Sequence, residues 1–429
     1  MTKSRLEKMK EKQAAQKRHL ILVMSLLFLA LVGCIFLKAF TGKSATKNSQ
    51  ETAQVKQAVH SKQKTPKQNT TKPDTTIKKA VITASGDMLY HDILYRSAYD
   101  GNKYDLANDY AQISPLLKKA DLSLGDFEGT INPKRELTGY PIFNAPQAVA
   151  DSIKKAGFDV VDLAHNHILD TGLEGLHSTV AAFQKNGMET IGVKTKTTKD
   201  ILVKEINGIK IALLAYAYGF NGIEASLTKE EYDSHLKDLN MEKVAADLKK
   251  AEKIADITIV MPQDGVEYAL EPNEEQRAKY RQMVDLGADI IFGGHPHVAE
   301  PTETIKKDGD KKFIIYSMGN LISDQRYESL QNYWTERGVV MEVAIKKEKD
   351  KTVIAKVTAH PTWVDKEPIA GRTYQHPEYG TVQSQDYQVF LAENYLPGGK
   401  YAHTVSQTKR QRIETAYHEM NELLKINWE

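Results

Sequence analysis

From Lys79 onward the chain alternates short runs rich in Val and Ile with longer stretches whose apolar residues recur at helical spacing. The runs at Ala80–Ala84, Asp121–Leu124, Phe158–Leu163, Ile209–Tyr216, Ile254–Met261, Ala288–Phe292, Lys312–Ser317 and Gly338–Ile345 predict strands. Helices are expected over Pro146–Ala156, Leu173–Asn186, Met241–Ile254, Pro272–Leu286 and Thr408–Leu424. The fourth opens on Pro272-Asn273-Glu274-Glu275, with proline and acids where a first turn tolerates them. It stops before Gly287, a natural C-terminal residue. Alternation at this spacing predicts an α/β core over residues 80–370. Residues 371–429 read as a C-terminal extension that packs on it.

The N-terminal pattern is different. Residues 1–19 hold Lys3, Arg5, Lys8, Lys10, Lys12, Lys17 and Arg18 against Glu7 and Glu11. An apolar run, 20–37, follows and ends at Lys38. Its 18 residues are just long enough to span a bilayer, where about twenty is typical. The basic flank predicts a single-pass anchor in the cell membrane, with a cytoplasmic N-terminus and an extracellular main domain. A cleaved signal is the alternative, but no A-x-A-like site follows. Leu31-Val32-Gly33-Cys34 looks like a lipobox, although the apolar Ile35-Phe36-Leu37 behind it argues against lipidation at Cys34. All three readings place residues 42–429 outside. Residues 42–79 are rich in Lys, Thr, Gln and Asn and hold too little apolar surface to fold, so they read as a flexible stalk.

Charge and cysteine content narrow the chemistry. The net charge is +2, which gives no reason to expect nucleic acid as a partner. The single cysteine, Cys34, lies in the apolar span, so a metal site further on must use His, Asn, Asp or Glu.

Six strand-like runs are followed by small or polar residues: Ser85-Gly86-Asp87, Gly125-Asp126-Phe127-Glu128-Gly129, His165-Asn166-His167, Pro262-Gln263-Asp264-Gly265, Gly293-Gly294-His295-Pro296-His297 and Ser317-Met318-Gly319-Asn320. In open α/β sheets, sites form beyond the carboxyl ends of strands. Asp126 and Glu128 lie two apart, so both can face one side of an extended segment and either could bridge metals. Proline at 296 should hold its loop extended and send His295 and His297 into one cavity. Gly293 and Gly294 would let the backbone approach an ion. Asp170 or Thr171 reads as a cap for the next helix. His91 could complete the first site or merely cover it, and Asn320 could orient a ligand or cap a turn. Tyr140, Phe143, Tyr216, Tyr218 and Phe220 read as core and rim.

These segments, in this order, resemble the CapA/PgsA family of bacterial capsule and poly-γ-glutamate biosynthesis proteins, a divergent branch of the calcineurin-type metallophosphoesterases. The resemblance covers residues 80–365 and rests on ASGDMLYHD, LGDFEGTI, LAHNHILDTG, MPQDGVEY, FGGHPHVAEP and IIYSMGNLISDQ. It implies a metallophosphoesterase-like α/β/β/α sandwich with a two-metal pocket. Carried over by position, Asp87 would bind one metal, Glu128 would take the bridging position and Asn166 would bind the second metal. His295 and His297 would each supply an imidazole, and His167 would act as acid toward the leaving oxygen. Leu89 and Gln263 stand where the phosphoesterase pattern has histidines, which puts full two-metal occupancy and catalysis in doubt. Asp264, His91 or His165 could compensate.

Two functions follow. One is a metal-dependent hydrolase, with one or two Mn²⁺, Mg²⁺ or Zn²⁺ ions, acting on an envelope phosphoester. The other is a non-catalytic subunit that holds an anionic surface polymer in the same pocket, beside other synthesis subunits. A solute-binding or adhesion module would leave the histidines unexplained.

Overall fold

The Val- and Ile-rich runs form the inner strands of two sheets, and the amphipathic stretches cover them. The computed structural model describes residues 76–428. The expected basic segment 1–19, the apolar span 20–37 and the stalk up to residue 75 lie outside the described residues. Among the described residues no helix is long and apolar enough to cross a membrane.

The first half contains β1 (Lys78–Leu89), α1 (Asp92–Ala98), α2 (Ser114–Lys119), β2 (Leu122–Glu128), α3 (Gln147–Ala156), β3 (Val160–Asp162), α4 (Gly172–Lys185), β4 (Glu189–Ile191), β5 (Leu202–Ile206) and β6 (Ile209–Ala217). Next come α5 (Lys229–His235), α6 (Met241–Ile254), β7 (Ile257–Gln263), α7 (Glu274–Asp285), β8 (Ile290–Phe292), β9 (Thr302–Lys307), β10 (Asp310–Ile315) and β11 (Asn320–Ile322). The chain closes with α8 (Tyr327–Leu330), β12 (Arg337–Glu348), β13 (Lys351–His376), β14 (Gly380–Leu391) and α9 (Gln407–Leu424).

One sheet has the order β14-β13-β12-β1-β2-β3-β4, with β11 also paired to β1. Its β1 to β4 run parallel, while β12, β13 and β14 add on antiparallel. The other sheet has the order β5-β6-β7-β8-β10-β9. Strand β6 shows how this second sheet is covered on both faces. Its Ile209, Ile211, Leu213 and Ala215 join the apolar cluster that holds Ile82 and Leu124 of the first sheet. The alternate residues Ala212, Leu214 and Tyr216 pack with Val244 and Leu248 of α6 and Met283 of α7. A period of two along the strand therefore produces the layering.

Helix α7 starts later than the sequence suggests. Asn273 is its cap, accepting from Gln276 N at 2.8 Å, and Pro272 lies outside. Gly287 follows with φ of 119°, a conformation that favours glycine.

The expected division at residue 370 falls inside β13, so the main sheet runs through it. Helix α9 packs Ile413 and Ala416 against Trp363 of β13 and Phe390 of β14. Beneath it lies Glu336, fully buried, which accepts from Arg412 Nε at 2.7 Å and Trp363 Nε1 at 2.9 Å.

A buried acid next to the residue that follows β1 gives the fold a pH dependence. Asp109 Oδ2 lies 2.8 Å from the Tyr90 hydroxyl, and burial pushes its carboxyl up to about 8. The native state then keeps a proton that the unfolded chain loses near pH 4. The stability this group contributes is complete below that pH and is lost as the pH rises to about 8. At about 1.4 kcal/mol per pH unit, the loss is on the order of 5 kcal/mol. Asp109→Asn should flatten this slope, measurable by urea unfolding between pH 4 and pH 8.

Candidate metal centre

Strand register, with an irregularity in β1 between Ala84 and Asp87, brings three carboxylates together. Asp87 of β1 pairs with Asp126 of β2, and Asp126 pairs with Asp162 of β3. Asp87 also pairs with Asn320 of β11 on its other side. Glu128 ends β2, two residues beyond Asp126. The loop after β8 crosses from the second sheet and delivers His297. Its Nδ1 lies 2.9 Å from Asp87 Oδ2, 3.2 Å from Asn320 Oδ1 and 3.8 Å from Glu128 Oε2. Asn320 is fixed in turn, with its Nδ2 donating to Thr335 O and Gln325 Oε1, each at 3.0 Å.

The ligand atoms of Asp87, Glu128 and His297 lie within 4.8 Å of one another, and all three residues are buried. Burial raises Asp126 well above the usual carboxylate range, and Asp162 and Asp87 push it further. Glu128 is raised to about 7, chiefly by burial. Burial alone would lower His297, but Glu128 and Asp87 outweigh it and bring the imidazole to about 9. Among the described residues no Lys or Arg forms an ion pair with these four acids. Asp87 Oδ1, Asp126 Oδ1 and both oxygens of Glu128 have no hydrogen-bond partner. Buried, unpaired carboxylate oxygens are costly, and a cation among them would remove that cost. This donor set of carboxylates and one imidazole suits a hard or borderline divalent ion.

The loop geometry differs from the extended form expected around Pro296. His295 and His297 have φ of 96° and 59°. Proline restricts its own φ, not that of the histidines beside it. Non-glycine residues in this region are strained, and such strain gathers at functional sites. Gly294 is required for space, because a Cβ there would stand 2.9 Å from Asp126 Oδ2 and 3.0 Å from Asp87 Oδ1. His295 does not join the three ligands. Its ring lies 4.5 Å from that of Tyr218 at a 48° tilt, its Nδ1 is unpartnered, and burial lowers its pKa to about 3.

Asn166 and Gln263 form a second, separate group. Gln263 Nε2 donates to Asn166 Oδ1 at 3.1 Å, and Asn166 N donates back to Gln263 Oε1 at 2.9 Å. Asn166 Nδ2 donates to Asn221 Oδ1 at 3.1 Å. The Asn166 oxygen proposed as a ligand thus already accepts a hydrogen bond. His167 lies beside this group, its Nδ1 2.8 Å from Asp170 Oδ2. Asp170 also accepts from Phe143 N at 2.6 Å, so it orients His167 rather than capping a helix. Thr171 is the cap residue of α4 but makes no side-chain cap bond. With Nδ1–H given to Asp170, Nε2 is the free nitrogen of His167.

Of the residues weighed as substitutes for the missing histidines, Asp264 and His91 have other partners, while the buried Nε2 of His165 has none. Asp264 Oδ2 accepts from Lys279 at 3.1 Å. His165 is buried and its Nδ1 accepts from His167 N at 3.2 Å. Burial lowers His91 to about 4, and its Nδ1 faces Ser323 Oγ at 3.4 Å. Leu89 is buried at the end of β1. Asp162, Asn221 and the orienting role of Asp170 were not anticipated. An acid inside the apolar run Phe158–Leu163 is the signal that pointed to Asp162. No local signal marks Asn221.

Comparison with known proteins agrees with these segments. A family model described as "Bacterial capsule synthesis protein PGA_cap" matches residues 81–325. "Capsule biosynthesis protein CapA" of Bacillus anthracis is 31% identical over 237 residues, covering 52% of this chain and 56% of that protein. "PGA biosynthesis protein CapA" of Bacillus subtilis is 30% identical over 223 residues, covering 50% and 57%. The chain thus matches little more than half the length of these curated relatives. A solved calcineurin-like phosphoesterase of Bacillus subtilis aligns with a TM-score of 0.37 and 16% identity, covering 80% of this chain and 100% of that one.

Proposed function

Because the chain belongs to the PGA_cap family of bacterial capsule synthesis proteins, we propose that it serves the synthesis of a capsule or poly-γ-glutamate polymer at the outer face of the cell membrane. In this reading segment 20–37 is the anchor and the described residues lie outside. The pocket acts on an envelope phosphoester as a metal-dependent hydrolase within a metallophosphoesterase-like sandwich. The observation that carries this is the set of buried, unpartnered oxygens on Asp87, Asp126 and Glu128 around a single imidazole.

Asp87, Glu128 and His297 would hold one divalent ion, whether Mn²⁺, Mg²⁺ or Zn²⁺. Such an ion supplies positive charge to an oxygen on which negative charge develops. The chain's own residues do the remainder. Asn320 holds the His297 ring, and Asp170 holds His167 through Nδ1–H. As an imidazolium, His167 would pass its Nε2 proton to the leaving oxygen while water attacks the phosphorus.

The amide pair favours a second reading. Asn166 Oδ1 already accepts from Gln263, and the grouped ligand atoms among the described residues are those of Asp87, Glu128 and His297, which favours one ion over two. A one-ion pocket also suits a non-catalytic subunit that holds an anionic polymer through the metal, beside other synthesis subunits. Both readings share one test. Cells carrying Asp87→Asn or His297→Ala in place of the natural chain should lose most of their surface polymer at normal protein levels. Normal polymer production by both variants would overturn the role of the pocket.

A further inference from the structure

Three exposed tyrosines stand beside His295, His297 and, through Phe143, His167. Tyr218 is 45% exposed, with its ring tilted 48° over His295. Tyr268 is 37% exposed, with its ring centroid 6.1 Å from that of His297. Tyr140 is 63% exposed and meets Phe143 edge-on at 6.3 Å. Phe143 in turn meets His167 edge-on at 4.8 Å. Tyr216 and Phe220, by contrast, are buried. The aromatics read together in the sequence therefore divide into core and mouth.

Tyr268 is held in place at a cost. Its φ is 67°, a region that bulky residues seldom occupy. Its N–H donates to Pro296 O at 2.8 Å, and its hydroxyl accepts from Gln325 Nε2 at 3.3 Å. Gln325 also accepts from Asn320, the residue that holds His297. A strained residue tied to the site, with its ring left partly in water, is kept for something other than packing.

The polar company of these rings indicates the ligand. Glu267, exposed beside Tyr268, acts electrostatically on Glu128, Tyr218 and Tyr268. Burial raises the Tyr268 hydroxyl, and Glu267, Tyr140 and Glu128 raise it further. Asn221 and Gln325 add amides. At the rim a polyanion would meet the exposed carboxylate of Glu267, while the positive His297 lies buried beneath. A pyranose ring fits instead, because its C–H face stacks on an aromatic ring and its hydroxyls bond to carboxylates and amides.

We propose that the mouth of the pocket is a saccharide subsite, in which Tyr140, Tyr218 and Tyr268 hold a neutral pyranose ring next to the Asp87/Glu128/His297 centre. The inference rests on the pocket reading above and names the class of group that enters it.

The test is calorimetric titration of the full-length chain with neutral tetrasaccharides of glucose, galactose and N-acetylglucosamine, and with γ-linked tetraglutamate. Metal content is measured on the same samples. At least one saccharide should bind, and Tyr218→Ala and Tyr268→Gly should each weaken it about tenfold. Tyr268→Phe should retain most of the affinity. In Tyr268→Gly the glycine accepts the left-handed backbone, which offsets part of the stability lost with the ring. If that variant fails to fold, Tyr218→Ala carries the comparison. Binding of no saccharide, equal binding by wild type and Tyr218→Ala, or binding of tetraglutamate alone would overturn the subsite. Such a failure with metal still bound leaves the pocket reading intact. Loss of that reading would appear instead as a metal-free wild-type chain.

Discussion

A His167→Ala variant will hydrolyse a generic phosphodiester about 10²- to 10⁴-fold more slowly than the wild-type chain, the usual contribution of a positioned acid. Its metal content will be unchanged, because His167 lies outside the group formed by Asp87, Glu128 and His297. Its position is set by three neighbours. Asp170 takes Nδ1 at 2.8 Å, Asn221 Nδ2 approaches the same nitrogen at 3.3 Å, and Phe143 meets the ring edge-on. Asp170→Asn should give a smaller loss, on the order of 10- to 100-fold, by removing the carboxylate that orients the ring and stabilises its imidazolium. Initial rates and metal analysis on the same preparations check both values. A wild-type chain that binds metal without turnover would favour the scaffold reading.

Arg412→Ala will destabilise the protein by about 3 kcal/mol, from the 3–5 kcal/mol typical of stripping one partner from a buried ion pair. The figure sits at the low end for two reasons. Arg326 Nη2 remains 3.6 Å from Glu336 Oε2, and the Trp363 bond survives. Arg412 also spans a junction. It bonds Glu328 Oε1 at 2.7 Å and stacks its guanidinium over Tyr333 at 5.2 Å. Its loss should therefore loosen α9 from β13 and the α8 segment together. Urea unfolding measures the change. Replacing Glu336 and Arg412 together by leucine should not recover it, since Arg326 and the Trp363 indole N–H then lose their buried acceptor.

How far the sequence foretold this structure depended on periodicity and on distance along the chain. Helix α6 runs from Met241 to Ile254 as the apolar spacing predicts, and its cap residue Asn240 lies just outside. The inner strands were legible because both of their faces are buried. Strand β9, Thr302–Lys307, was not, because it is an edge strand with no fully buried position. β13 and β14 were missed for a related reason: polar residues fill much of their exposed length. Within the site, Asp87, Glu128 and His297 were marked by their places after apolar runs. The Asn166–Gln263 bond was invisible, since it joins positions 97 apart. The same bond explains the glutamine where a histidine was expected. Its amide completes the hydrogen bonding of Asn166 instead of offering a ligand nitrogen.

The central claim is a pocket for one divalent ion, and metal stoichiometry tests it most directly. Full-length protein equilibrated with Mn²⁺ and freed of excess metal should hold one ion per chain. Asp87→Asn and His297→Ala should hold almost none, while Asn166→Ala should still hold one. Two ions per chain, or an unaltered content in the Asp87 and His297 variants, would contradict the account.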